Sequence, residues 1–177
     1  MSFKQADSNK TNPHFSWIER LIIGDNSKYN TNCTLTAFCH ELRMRGLDVT
    51  SLGLDMANKL HRQLTSGLYN KLWIDPKTLK APNFLPLICN KTNVIKKFQN
   101  LGVGRYQFDI KWKKGFRHVS CFDILPNGNI RFYDPQNNNL NITSWINNVD
   151  FKKDVRVLKV NDLLINSKYV KEVVVSR

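Results

Sequence analysis

The stretch FRHVSCFDILPNGNIRFYDPQ, residues 116–136, decides the fold, because two strand-like segments flank a short turn. The turn is Pro-Asn-Gly at 126–128, which suits a type I turn followed by a glycine in the left-handed conformation. A loop of this length fixes which residues of the two strands face each other. The predicted pairs match apolar with apolar and acid with base: Ile124 with Ile130, Phe122 with Phe132, and Asp123 with Arg131.

The same register brings a histidine and a carboxylate together. Asp134 ends the second strand and lies opposite Ser120, diagonal to His118 and on the same face. Diagonal neighbours on adjacent strands have backbone positions about 7 Å apart, a distance that side chains bridge. A single histidine on a strand is usually a packing residue, but this one has a predicted carboxylate partner that can orient its imidazole.

A cysteine begins the first predicted helix. The segment NTNCTLTAFCHELRMRG, residues 30–46, predicts a helix from about Cys33 to Arg45 that Gly46 ends in the left-handed conformation. Its apolar face consists of Leu35, Phe38 and Leu42. A thiol in the first turn lies among unpaired amide hydrogens at the positive end of the helix dipole, which favours the thiolate. The alternative interpretation is a small apolar residue at the start of a buried helix.

Thiol catalysis requires a nucleophile, a base and a group that orients the base. These three groups are present, in chain order, as Cys33, His118 and Asp134. The combination is far more specific than any one of its members. We therefore predict that these residues form a catalytic triad.

Length and composition indicate one domain of the α+β class. The chain has 177 residues, of which 41% are hydrophobic, enough for one core and too few for two comfortable domains. Helical patterns come first along the chain, and a period-two pattern follows, with Tyr106, Phe108 and Ile110 on one face. We expect a disordered, polar tail at 1–11 and a single domain at 12–177.

The cysteines and the apolar runs exclude several classes of protein. The four cysteines form no CxxC pair, so we expect no structural zinc, and no other metal or cofactor is implied. No apolar run approaches the roughly 18 residues that span a bilayer, so we expect no membrane insertion. The first residues lack the apolar core and cleavage site of a secretory signal, so we expect production in a cytoplasm without disulfides.

The chain is strongly basic. Lys and Arg number 27 against 14 Asp and Glu, which gives a net charge of +13 spread along the sequence. Such a field attracts nucleic acid, an anionic membrane or an acidic protein. The alternative explanation is a Lys- and Asn-rich composition with no binding role, and the sequence contains no known nucleic-acid-binding motif.

A basic segment lies close to the predicted triad, and tryptophans are spread along the chain. KWKKGFRH, residues 111–118, forms a basic lip that suits an acidic substrate, although exposed hairpin turns are commonly charged. We expect Trp73, Trp112 and Trp145 to serve packing, as isolated aromatic residues mostly do.

Several segments of the chain resemble one known family. They are TNPHF, then NTNC with ELRMRGLDVTSL, and then RHVSCFDILPNGNIRFYDPQ. They look like the papain-fold toxin domains of the Tox-PL type, which include predicted glutamine deamidases and also occur in minor head proteins of tailed bacteriophages. The resemblance covers roughly residues 11–136. It implies an α+β, papain-like fold in which the cysteine helix packs on an antiparallel sheet.

The resemblance also implies roles for individual residues. Cys33 matches the nucleophile, His118 the general base and Asp134 the orienting acid, while Gln136 falls on the Gln of the family's Asp-Pro-Gln. The implied reaction is acyl transfer from an amide, as in a glutamine deamidase or a cysteine protease.

The oxyanion hole is less well matched. In papain-like enzymes a Gln a few residues upstream of the cysteine donates to the oxyanion, and residues 25–32 contain no Gln. The candidate donors are the backbone amide of Cys33 and the side chain of Asn30 or Asn32.

Three functions remain open. The first is a cysteine amidohydrolase, either a toxin or effector that deamidates a glutamine of a target protein or a protease that cleaves a peptide bond. The second is a bacteriophage virion component, a minor head or portal-region protein whose fold packs against head proteins and DNA through its basic surface. The third is a basic nucleic-acid-binding protein whose triad is accidental. The first two are compatible, because an active hydrolase can be virion-associated or delivered to a target cell.

Overall fold

The computed structural model describes residues 32–136 and 140–176. Within these residues the chain has a mixed α+β fold in which a helix precedes antiparallel sheets, as the sequence predicts. The predicted tail at 1–11 and the candidate oxyanion donor Asn30 lie outside the described residues. None of the helices in the described ranges is long and apolar enough to cross a membrane.

The described helices are α1 (Cys33–Met44), α2 (Lys59–Gln63), α3 (Val94–Gln99), α4 (Ile142–Ile146) and α5 (Ser167–Val173). A wide helical turn at Leu64–Leu68 and a 3-10 turn at Tyr69–Leu72 follow α2. The strands are β1 (Val49–Ser51), β2 (Trp73–Ile74), β3 (Leu85–Pro86), β4 (Gly104–Lys111), β5 (Arg117–Ile124), β6 (Ile130–Tyr133), β7 (Arg156–Lys159), β8 (Leu164–Ile165) and β9 (Val174–Ser176).

Helix α1 has the start and the apolar face that its sequence predicts. The three predicted core residues are at most 1% exposed: Leu35, Phe38 and Leu42. The helix ends at Met44, one residue before the predicted end, and Gly46 follows with a φ of 90°. Glycine adopts this left-handed conformation at little cost, so it ends the helix here. Because α1 begins at Cys33, the thiol lies in the first turn.

A buried carboxylate ties α1 to the sheet. Glu41 of α1 is 2% exposed. Arg105 of β4 donates to it from Nε and from Nη2, both at 2.7 Å, and Arg45 donates from Nε at 2.8 Å. The bidentate contact with Arg105 fixes the position of α1 along β4.

A five-stranded antiparallel sheet in the order β3-β7-β4-β5-β6 forms the centre of the described fold. The hairpin of β5 and β6 has the predicted register, since Phe122 faces Phe132 and Asp123 faces Arg131. Gly128 in the connecting turn has a φ of 79°, also as predicted. The beginning of β5 and the end of β6 therefore lie next to each other, at the open end of the hairpin.

Both faces of this sheet are covered by other elements. On one face, α1 packs its apolar residues against Val119 and Cys121 of β5. On the other face, α3 and α4 share a core with the residues of β4 predicted to face the same way, Tyr106, Phe108 and Ile110. The sheet is therefore the middle layer between two cores. A site can form where the edge of the sheet meets the start of α1.

Candidate active site

The β5–β6 hairpin brings an imidazole and a carboxylate into contact. His118 is the second residue of β5, and Asp134 directly follows β6. His118 Nε2 lies 2.9 Å from Asp134 Oδ2, and the two residues are 4% and 1% exposed. The contact that the hairpin register predicts is therefore present.

Two further donors hold the Asp134 carboxylate in place. Trp145 of α4 donates its indole N–H to Oδ2 at 3.2 Å, and the backbone N–H of Gln136 donates to Oδ1 at 3.2 Å. Trp145 does pack in the core, as predicted, but its hydrogen bond to the site is an additional role. The sequence gives no signal for this role, because an isolated tryptophan does not reveal the partner of its N–H.

Tryptophan rings enclose the imidazole on one side. The Trp112 ring lies 5.1 Å from the His118 ring, and the Trp145 ring lies 5.9 Å from it, measured between centroids. The two indoles also contact each other edge to face at 4.6 Å. This aromatic wall keeps water away from the His118–Asp134 contact, which strengthens its electrostatic part.

Cys33 lies against the imidazole as well. Its side chain is half-buried and interacts with His118, where it helps to raise the pKa of the imidazole. Nε2 of the ring faces Asp134, which leaves Nδ1 as the ring nitrogen able to exchange a proton with the thiol. The structure thus brings the three predicted triad residues together in the order thiol, imidazole, carboxylate.

These neighbours change the protonation of His118. Burial acts to lower its pKa, but the hydrogen bond to Asp134 and the interaction with Cys33 outweigh burial and raise the pKa from 6.5 to about 10. The ring is therefore protonated at neutral pH. A protonated imidazole between a thiol and a carboxylate can pair with a thiolate and deliver a proton to a leaving group.

A cavity of about 790 Å³ opens beside Cys33 and His118. Its volume is in the range of ligand-binding clefts, large enough for a side chain and part of the adjoining backbone. Gly115, Phe116 and Arg117 at the end of the predicted basic lip contribute to its wall. The lip therefore borders the site, as the sequence indicates.

The candidate oxyanion groups occupy different positions. Asn32 is fully buried, and its Nδ2 donates to Ser51 Oγ at 3.3 Å and to the backbone oxygen of Leu52 at 3.0 Å. These bonds anchor the start of α1 to β1, and Asn32 does not line the cavity. Gln136 does line it, together with Cys33.

Thr34 is a cavity residue that sequence reasoning missed. It directly follows the cysteine, lines the cavity and is 5% exposed. Its buried hydroxyl has no hydrogen-bond partner within residues 32–136 and 140–176. A threonine in the first turn of a helix carries no sequence signal that separates this position from an ordinary helix start.

No protein-family model, no curated protein and no solved structure matches the chain. A fold alone does not define a function, so the geometry of the site has to carry the functional interpretation.

Proposed function

We propose that this protein is a papain-like cysteine amidohydrolase that acts on amide bonds of a protein substrate, with glutamine deamidation as its reaction. One observation carries the proposal: His118 is hydrogen-bonded to Asp134 and, together with Cys33, lines a cavity of about 790 Å³. A base that lies between a nucleophile and an orienting group beside a cleft is the geometric signature of covalent thiol catalysis.

The first half of the reaction forms a thioester. The Cys33 sulfur attacks the carbonyl carbon of the glutamine side chain, and a C–S bond forms as the carbonyl π electrons move onto oxygen. His118 then gives its proton to the amide nitrogen, the C–N bond breaks, and ammonia leaves. Asp134 keeps the imidazole aimed at the thiol throughout, because its carboxylate is itself held by Trp145 and Gln136.

The second half releases the sulfur of Cys33 from the thioester. His118, now neutral, takes a proton from a water molecule, whose oxygen attacks the thioester carbon. The C–S bond breaks, the glutamate product leaves, and the imidazole is protonated again. A cysteine protease follows the same steps with a peptide amine as the leaving group, so the products distinguish the two: ammonia or a new amino terminus.

The tetrahedral oxyanion needs hydrogen-bond donors. The first backbone N–H groups of an α-helix have no acceptor within the helix, so those of α1 beside Cys33 are available. Gln136 and Thr34 line the same cavity and can add side-chain donors. Asn32 contributes indirectly, since its bonds to Ser51 and Leu52 fix the helix start that presents these amides.

A second candidate function is a virion module of a bacteriophage head or portal region, and the charge favours it. The net charge of +13 suits a protein that lies against DNA or acidic head proteins. In that role the papain-like fold serves packing, and the triad is vestigial or reserved for the infected cell. Recovery of the chain from purified particles supports this role, and it does not exclude the hydrolase.

The first experiment measures the pH dependence of iodoacetamide alkylation at Cys33, by mass spectrometry, in the wild type and in His118→Ala. We expect rapid labelling below pH 7 in the wild type and slow labelling in the variant, because only the wild type has the protonated imidazole beside the sulfur. Cys89 is an internal control: it is half-buried, and burial raises its pKa to about 11. Equal slow labelling of both cysteines, unchanged by the substitution, would overturn the hydrolase proposal.

The second experiment measures ammonia release from glutamine-containing peptides. Enzyme-dependent ammonia with no new amino terminus supports the deamidase. New amino termini without ammonia would replace it with the protease.

A further inference from the structure

The wall of the cavity contains a second buried polar group, separate from the triad. Asp109 of β4 is 1% exposed and lines the cavity. Arg117 of β5 donates to its Oδ1 from Nε at 3.0 Å, and Nη2 of Arg117 lies 2.8 Å from Oδ2. Arg156 of β7 forms the second ion pair of this carboxylate.

The charges in this wall do not cancel. Two guanidinium groups face the single carboxylate of Asp109, which leaves one excess positive charge. Asp154 also acts on Arg117, but it is exposed, and water screens a surface carboxylate. Part of Arg117 is open to the cavity, since its side chain is 30% exposed. The wall therefore attracts an anion.

Tyr69 supplies a donor that lacks an acceptor. It lines the same cavity and is 1% exposed, and its hydroxyl has no hydrogen-bond partner in the described part of the chain. Arg117 and Arg156 cannot accept a hydrogen bond, and Asp109 is held by both of them. A buried hydroxyl without a partner is unfavourable, so a ligand that brings an acceptor is favoured here.

The backbone at Gly67 makes room for this arrangement. Gly67 has a φ of 95°, and its carbonyl accepts from Arg156 Nη2 at 3.2 Å. A Cβ at this position would lie 2.6 Å from the same nitrogen. A side chain here would push Arg156 away from Asp109, so the glycine preserves the charged wall.

We propose that Tyr69, Arg117 and Arg156 form a subsite for a carboxylate of the substrate. Tyr69 and Arg117 donate to the carboxylate, and Arg156 contributes charge while it holds Asp109. Because Arg117 and His118 line the same cavity, a substrate that presents its amide to Cys33 can present a nearby carboxylate to this subsite. The subsite presupposes the amidohydrolase function proposed above, whose substrate then carries an acidic side chain or a free α-carboxylate beside the amide.

The test compares matched probes that alkylate Cys33, whose sulfur displaces iodide and forms a C–S bond. One pair is N-iodoacetyl-glutamate and N-iodoacetyl-glutamine, both as α-methylamides, which differ only in the side-chain charge. The other pair is N-iodoacetyl-alanine as free acid and as amide. Preference for the acid in the first pair identifies an acidic side chain as the ligand, and preference in the second pair alone identifies an α-carboxylate. Either result supports the subsite.

Substitutions of Tyr69 and Arg117 test whether these residues cause the preference for the acidic probe. We expect the wild type to react roughly tenfold faster with the preferred acid than with its neutral partner, and Tyr69→Phe and Arg117→Gln each to reduce that ratio about fivefold. Arg131→Gln is the matched control. Arg131, like Arg117, pairs with an aspartate, in its case Asp123, but it does not line this cavity. Tyr69→Phe keeps the test valid if Arg117→Gln does not fold.

Failure of the subsite is distinguishable from failure of the hydrolase. Rapid labelling of Cys33 by the neutral probes, with equal rates for acid and amide in all variants, would overturn the subsite and leave the hydrolase standing. Slow labelling by every probe, unchanged in His118→Ala, would overturn both.

Discussion

Trp145 donates its indole N–H to Asp134 Oδ2, the same oxygen that contacts the His118 ring. One carboxylate oxygen therefore couples the position of α4 to the position of the imidazole. The other oxygen accepts from the backbone of Gln136, so the carboxylate cannot rotate without breaking hydrogen bonds on both sides.

The first prediction concerns this indole. Trp145→Phe keeps an aromatic ring in the core but removes the N–H, so Asp134 loses a buried donor and holds His118 less firmly. We expect the alkylation rate of Cys33 at pH 7 to fall roughly threefold to tenfold, in line with the net contribution of one typical hydrogen bond. Trp73→Phe is the control, because Trp73 donates at 3.2 Å to the neutral side chain of Gln107 and not to Asp134. An equal loss in both variants would contradict a positioning role for Trp145.

The second prediction separates the nucleophile from the orienting acid. Cys33→Ala should abolish amide hydrolysis and leave the unfolding midpoint nearly unchanged, because the side chain is only half-buried. Asp134→Ala should retain partial hydrolysis, since the thiol and imidazole remain, but it should also destabilise the protein by leaving His118 and Trp145 without their acceptor. Ammonia release and urea unfolding measure the two effects separately. Hydrolysis by Cys33→Ala at the wild-type rate would contradict the catalytic role of the thiol.

The parts of the site that the sequence predicts are those set by local rules. The turn at 126–128 fixes the hairpin register, and that register brings His118 to Asp134. The helix pattern likewise places Cys33 in the first turn of α1. Each of these follows from turn chemistry or from periodicity over a few residues.

The parts that escaped prediction depend on packing between distant segments. The alternation in β4 predicts its apolar face but says nothing of the face that carries Asp109, which becomes buried through arginines on β5 and β7. Asn32 is a candidate oxyanion donor by proximity to Cys33, but its amide is bonded to β1 and to Leu52, residues that the fold brings near it. Trp145 contacts Asp134 only because α4 docks on this face of the sheet.

The third prediction is a pH dependence of stability. The pKa of His118 is raised from 6.5 to about 10 in the folded chain, so the folded state keeps a proton that the unfolded state loses. The stabilisation is therefore complete below about pH 6.5, decreases as the pH rises, and is gone above about pH 10. Urea unfolding of the wild type and of His118→Gln across this window measures it. The difference between the two free energies of unfolding should shrink as the pH rises, and a constant difference would contradict the raised pKa.

The fourth prediction concerns the carboxylate that fixes α1. Glu41→Gln preserves the shape of a residue that is 2% exposed but leaves Arg45 and Arg105 without their shared negative charge. We expect a loss of roughly 3 kcal/mol in the free energy of unfolding, measured by urea denaturation, because breaking a buried ion pair leaves charges uncompensated. Asp162→Asn is the control, since Asp162 and Lys159 form a solvent-exposed pair at 3.5 Å. Exposed pairs contribute little, so this variant should lose less than about 1 kcal/mol. Because α1 also carries Cys33, a Glu41→Gln protein that still folds should label Cys33 more slowly, and an unchanged labelling rate would show that the helix start is held by Asn32 alone.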